Sequence, residues 1–152
     1  MKKILITGGA GFIGSQLGYH LHKKGYDVIL LDNMSYGNSD NLEIQGKTFG
    51  KFIEDDIRNK SILKHTKDVD YIYHFAGIAP LPDCQENPKE AIDVNVSGTA
   101  SVLEAARING VKRVIFSSTS AVYENHLEFP AKENDDVFPD LIYATSKKQS
   151  EL

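Results

Sequence analysis

Long hydrophobic runs, runs of like charge and paired cysteines are all missing from this chain of 152 residues. The first absence leaves no candidate membrane span, because no apolar run approaches the ~18 residues that a bilayer-crossing helix requires. Nothing resembles a signal peptide, and none is expected, since Met1 to Leu5 leads directly into a strand-like segment. With no charge run and a net charge of −4, neither a nucleic acid nor an acidic membrane surface has anything to grip. Cys84 is the only cysteine, so no internal disulfide can form, which suits a reducing cytoplasm. It has no acid-base partner in sequence reach and reads as a bystander, not a nucleophile. His20, His22, His65, His74 and His126 are not spaced with cysteine or carboxylate as metal ligands, so no metal is expected. There is also no internal repeat, low-complexity stretch or linker. The length predicts one domain, residues 1–152, able to bury about two thirds of its surface.

What is present is a glycine loop. In Lys3 to Gly14, KILITGGAGFIG, the apolar run Ile4, Leu5 and Ile6 suits a parallel strand buried on both faces. After it, Gly9, Gly11 and Gly14 satisfy GxGxxG, while Gly8, Gly11 and Gly14 satisfy GxxGxxG. Either reading puts bare backbone where a strand turns into a helix, the place where N–H groups and a helix N-terminus meet a pyrophosphate. A tight turn with no ligand is the alternative. The strand Asp27 to Leu31 then ends in Asp32, 18 residues beyond Gly14, near the separation at which a dinucleotide fold places an acid on the adenosine ribose. A turn or helix-cap aspartate is the competing reading. An acid there accepts hydrogen bonds from both ribose hydroxyls and repels a 2′-phosphate, so NAD is expected in preference to NADP.

The other elements alternate. A helix is predicted from Phe12 to Lys24 on Phe12, Ile13, Leu17, Tyr19 and Leu21, closed by Gly25. Asn33 to Gly50 reads as loop with a helical turn near Asn41 to Ile44. A third strand spans Lys51 to Glu54, a helix packed by Ile62 and Leu63 spans Asn59 to Lys67, and a fourth strand, Asp70 to Phe75, runs into Ala76-Gly77. Pro82 to Pro88 should break the chain before a long helix from Ala91 to Asn109. The fifth strand, Val111 to Ser117, ends in four hydroxyls, Ser117 to Ser120. After a loop from Asn125 to Leu141, a last helix carries Tyr143 and Lys147 on one face at i, i+4. Together these predict an α/β, doubly wound parallel sheet of order 3-2-1-4-5. The Tyr/Lys spacing has a chemical use: a phenol of pKa about 10 needs ~3 to 4 kcal/mol of help to ionise near neutrality, and a neighbouring ammonium supplies part of it. Unrelated residues on a surface helix are the alternative.

These residues in this order resemble the extended short-chain dehydrogenase/reductase family, in its NAD-dependent sugar epimerase/dehydratase branch, from Lys3 to Leu152. TGGAGFIG is similar to the family's glycine loop, with Gly8, Gly11 and Gly14 and the amides of Phe12 and Ile13. Asp32-Asn33 resembles its ribose pair and Asp56-Ile57 its adenine pair. Phe75-Ala76-Gly77 is similar to the segment along the cofactor, Asn95 to the central-helix asparagine, and Ser117 falls on the cofactor side. Thr119, Tyr143 and Lys147 match the catalytic set. The resemblance implies a tyrosinate that removes a proton from a sugar hydroxyl while hydride passes to the nicotinamide. Thr119 would hold that oxygen, and Lys147 would bind the nicotinamide ribose and lower the tyrosine pKa. In an epimerase the keto sugar then rotates and takes hydride back on its other face.

Departures from the family's pattern narrow the activity. Dehydratases of the family carry Thr-Asp-Glu here and its decarboxylases a Glu two residues after the threonine, whereas this chain reads Thr119-Ser120-Ala121. The missing acid favours a 4-epimerase acting on a UDP-sugar; a nucleotide-sugar reductase or dehydrogenase, and a dinucleotide-binding fragment without catalysis, stay open. Glu124 stands where the family usually has glycine, and Ala79 where galactose epimerases often have lysine. Members run to roughly twice this length, so the chain is expected to be a partial sequence whose last strands and substrate part are absent, and the intact protein a homodimer.

Overall fold

The computed structural model describes residues 1–127 and 130–152. Five strands, β1 (Lys3–Thr7), β2 (Asp27–Asp32), β3 (Lys51–Glu54), β4 (Tyr71–His74) and β5 (Arg113–Phe116), form one parallel sheet. Its order, β3-β2-β1-β4-β5, is the predicted one and reverses direction between β1 and β4. That reversal opens a crevice at the carboxyl ends of the two strands, the usual ligand position in such sheets. Side chains along β1 alternate between faces. Leu5 joins Leu31, Ile57, Ile62, Ile72, Val102 and Ala106 on one side, whereas Ile4 and Ile6 join Val28, Leu30 and Phe49 on the other. Both faces are covered, which is why the strand reads as an unbroken apolar run.

Helix α1 (Phe12–Lys23) packs Leu17, Tyr19 and Leu21 against the second cluster. Gly18 is required there, since a Cβ would stand 2.7 Å from Leu30 Cδ2. Gly25, at φ +84°, ends the helix as expected. Phe12 and Ile13, counted toward the apolar face, are instead 77% and 60% exposed. Before β3 the chain makes a 3-10 turn, Ser39–Leu42, and a two-residue hairpin, Glu43–Ile44 with Lys47–Thr48. Helix α2 is only Ile62–His65, shorter than predicted. The Asp55 carboxylate accepts from Asn59 and Ser61 side chains, and such local bonds compete with helix.

The chain divides into two compact units, Met1–Ala76 with Gly98–Ser117, and Gly77–Ser97 with Ser118–Leu152. The sheet, both apolar clusters and helix α5 (Thr99–Ile108) belong to the first; here α3 (Leu81–Glu86), α4 (Pro88–Ile92) and α6 (Ile142–Glu151) belong to the second. The break expected at Pro82 to Pro88 is therefore confined to Asn87, with helix on either side. Both prolines lie in first turns, where the missing N–H has no intrahelical partner to lose. The single helix expected from Ala91 to Asn109 is three segments, with a π-helix at Asp93–Gly98 between α4 and α5. Of the predicted loop 125–141, residues 128 and 129 lie outside the described residues. Among the described residues no helix is long and apolar enough to cross a membrane.

Candidate functional site

In the first unit, the carboxyl edge of the sheet collects the glycine loop, Asp32-Asn33, Asp56-Ile57, Phe75-Ala76 and Ser117, each at or just past a strand end. The glycines divide by role. A Cβ on Gly8 would lie 2.7 Å from Ala76 N, on Gly9 2.8 Å from Leu30 Cα, and on Gly14 2.2 Å from Gly8 O, so the fold itself demands these three. Gly11 differs: its Cβ would approach only Gly8 O, at 3.2 Å, and would otherwise fill open space beside the α1 N-terminus. Gly11 is the N-cap residue, with no side-chain cap and no acid in the first turn. The first-turn amides, those of Phe12 and Ile13 included, lack intrahelical carbonyls and carry the helix's positive end. The arrangement is a cradle for a phosphate.

Asp32 is 8% exposed, and its two carboxylate oxygens accept the backbone N–H groups of Ala10 at 3.0 Å and Met34 at 2.9 Å. Each oxygen keeps a second lone pair for a ligand hydroxyl. Asn33 donates its side-chain amide to Asp56 Oδ2 at 2.9 Å, and the Arg58 guanidinium grips the same carboxylate. That grip holds the Asp56 pKa down to about 2. Ile57 turns its side chain into the core, leaving only backbone to face a ligand. Ser117 donates its N–H to His74 O at 3.3 Å, extending the ladder past β5.

His74 itself was passed over in the sequence. It is wholly buried, with Nδ1 2.6 Å from Thr7 Oγ1 and Nε2 2.9 Å from Thr99 Oγ1. Thr7 Oγ1 also accepts the Ala76 N–H at 3.3 Å. The imidazole thus bridges two hydroxyls, one at each ring nitrogen. This bridge ties the ends of β1 and β4 together beside the Gly8–Ala76 contact. A polar residue in register with core Ile72 was the available signal.

In the second unit, Tyr143 and Lys147 occupy successive turns of α6. Lys147 is 6% exposed, and burial pushes its ammonium down to about 8, while the Glu151 charge one turn further on pulls the other way. Asn95, 2% exposed, holds the α6 side of this unit together. Its carboxamide oxygen accepts the Ile78 N–H at 2.8 Å, and its NH2 donates to Ile78 O and to Ser146 Oγ, each at 3.0 Å. Ser146 in turn donates to Tyr143 O at 2.7 Å. The π-helix, a widened turn of a kind frequent at functional sites, thus contains the residue that clamps α6. Gly77 is needed beside it, since a Cβ would stand 2.9 Å from Asn95 Oδ1. Thr119 caps the 3-10 turn Ser120–Tyr123 by accepting the Ala121 N–H at 3.1 Å, which leaves its hydroxyl proton to donate to another oxygen. Ser118 donates to the Glu151 carboxylate, and with Thr119, Tyr123, Lys148 and Glu151 it lines a cavity of about 530 Å³.

The model of the NAD dependent epimerase/dehydratase family matches residues 4–152. This chain belongs to that family. A UDP-glucose 4-epimerase of Klebsiella pneumoniae is 36% identical over 87% of this chain and 99% of the relative. A UDP-N-acetylglucosamine 4-epimerase of Methanobrevibacter ruminantium, solved with UDP-N-acetylmuramic acid, superposes with a TM-score of 0.92 at 33% identity, over 99% of this chain and 48% of that one. A UDP-glucose 4-epimerase of Stenotrophomonas maltophila, solved with NAD and formylated UDP-arabinopyranose, gives 0.92 at 29% identity, over 99% and 47%. The chain spans about half the length of both solved family members.

Proposed function

We propose that this chain is the NAD-binding half of a nucleotide-sugar 4-epimerase whose intact form acts on a UDP-sugar. The observation that carries the reading is the pairing of Tyr143 with a buried Lys147 on α6, in a chain whose fold matches two solved UDP-sugar 4-epimerases. The first unit fits the cofactor: Gly11 leaves room at the α1 N-terminus for the pyrophosphate, Asp32 offers lone pairs to the adenosine ribose, and Asp56-Ile57 border the adenine. Phe75, Ala76 and Ser117 of the same unit stand at the strand ends along which it would lie, and Gly77 and Asn95 of the second unit are assigned to the cofactor by the family resemblance alone. NAD, when bound, supplies the acceptor and donor of hydride.

The chain's own residues supply the acid-base work. Tyr143 takes the proton of the sugar hydroxyl, and the Lys147 charge, held in a buried setting where Coulomb effects are strong, favours the phenolate. Thr119 donates its hydroxyl proton to the reacting oxygen and keeps it in line. Ala121 offers no acid to a leaving group, so the sugar retains its hydroxyls and only C4 inverts. The same reading makes the intact protein a cytoplasmic homodimer, since Cys84 is a buried free thiol and Leu103 and Ile108 of α5 are exposed apolar side chains that a second copy would cover. The test is incubation of the intact protein with UDP-glucose and UDP-galactose, followed by proton NMR. Interconversion without net consumption of NAD is expected; no inversion at C4, with or without added NAD, overturns the reading.

A further inference from the structure

Helix α6 begins at Ile142 behind Leu141, a residue whose side chain has no oxygen to cap a helix. Two amides at its start, those of Leu141 and Ile142, are nevertheless satisfied, by side chains from elsewhere in the same unit. Glu124 Oε1 accepts the N–H of Asp140 at 2.6 Å and of Leu141 at 2.9 Å. Gln85 Oε1 accepts the N–H of Ile142 at 3.0 Å. Beside Glu124, Asn125 donates to Phe138 O at 2.8 Å and to Asp140 Oδ2 at 2.9 Å. Two adjacent residues therefore stitch the chain to the entrance of α6. A carboxylate at a helix N-terminus is also favoured by the helix dipole.

Tyr143 is the second residue of that helix. First turns fray when their amides lack partners, and a phenol carried on a fraying turn moves with it. Misplacing a reacting group by ~1 Å costs up to ~100-fold in rate. We propose that Glu124 is a positioning residue for Tyr143, capping α6 from outside the helix and so setting where its first turn and the phenol stand. The proposal rests on the C4 chemistry above and adds to it a residue at which this chain departs from the usual family glycine. Glu124 acts only through the backbone of residues 140 and 141.

Two variants of the intact protein separate cap from bystander: E124A removes the acceptor, whereas E124Q keeps an acceptor oxygen without the charge. The expected result for E124A is a kcat lower by roughly tenfold with KM for the UDP-sugar within about twofold. E124Q should keep at least about half of wild-type kcat. The amides of Asp140 and Leu141 should exchange faster in E124A and near the wild-type rate in E124Q. The Tyr143 ring signals of carbon-labelled protein, assigned by their loss in Y143F, should shift or broaden in E124A alone. Faster exchange with unmoved ring signals overturns the proposal, and so do equal losses in E124A and E124Q. If wild type shows no C4 inversion, the functional reading fails, and the ring signals still decide whether Glu124 places Tyr143.

Discussion

Ala10 donates its backbone N–H to the Asp32 carboxylate at 3.0 Å, tying the acid at the end of β2 to the glycine loop at the end of β1. The other oxygen accepts from Met34, which holds φ +61°, a left-handed conformation that the bond helps to maintain. Gly37 must stay small here, as a Cβ would stand 2.8 Å from Asp32 Oδ1. The carboxylate is thus set in place before any ligand arrives. A 2′-phosphate would bring a dianion against it, whereas ribose hydroxyls meet its spare lone pairs. For D32S we expect NAD affinity to fall by roughly tenfold or more while NADP ceases to be excluded, so that the preference drops by at least ~1.4 kcal/mol. Titration of the intact protein with both cofactors by calorimetry checks this; an unchanged ratio removes Asp32 from the ribose.

The buried Thr7–His74–Thr99 bridge predicts a stability pattern. H74A removes both ring-nitrogen hydrogen bonds and leaves a void in the interior, and should cost about 3 to 5 kcal/mol. T7V keeps shape but loses the acceptor of the Ala76 N–H, for about 1 to 3 kcal/mol, and T7S should lie close to wild type. Urea unfolding of the four proteins measures the order, and T7V as stable as T7S would refute it.

These two regions differ in how far the sequence revealed them. β1, β2 and β3 were legible because each is a short apolar run bounded by glycine or acid, and the place of Asp32 at the end of β2 because it depends on local pattern alone. His74 was not legible, since its partners come from β1 and α5, 67 and 25 residues away, and nothing in the sequence alone pairs them. The prolines at 82 and 88 misled for the opposite reason: residue type was weighed without position in a first turn. Likewise the π-helix holds Asn95, whose contacts with Ile78 and Ser146 no periodicity encodes. Glu124 stood out only as a departure from a resembling pattern, its use as a helix cap being a matter of three-dimensional closure.

The loop after β3 should respond to acid. Arg58 and Asn33 hold the Asp56 carboxyl below its ordinary 3.8, at about 2, and Asn59, Ser61 and His65 hold Asp55 well below the usual carboxylate range. A carboxylate whose pKa is depressed by folding stabilises the fold above its unfolded pKa and loses that effect as pH falls through the folded value. The contribution of Asp56 is therefore complete at neutral pH and fades from about 3.8 down to about 2. D56N should be less stable than wild type at neutral pH, with the two denaturation midpoints converging toward the acid end of that window. A constant gap between them would mean that the charge of Asp56 plays no part.

Lys147 should trade stability for chemistry. Its ammonium titrates at about 8 in the fold against 10.5 ordinarily, because it is buried. Between those values the unfolded chain binds more protons than the folded one, so stability rises with pH across the window, and the penalty is at its full size below about 8. That shift corresponds to about 3 kcal/mol, an upper bound on what an apolar side chain of similar shape recovers. K147M is accordingly expected to melt higher than wild type at neutral pH, by roughly 1 to 3 kcal/mol of stability, with the advantage shrinking as pH climbs toward 10.5. The same variant should lose C4 inversion, since the charge that favours the Tyr143 phenolate is gone. Thermal melts across the pH range, run beside the epimerisation assay on the intact protein, measure both effects. K147M melting below wild type at neutral pH would mean that the ammonium gains more from its surroundings than burial costs it.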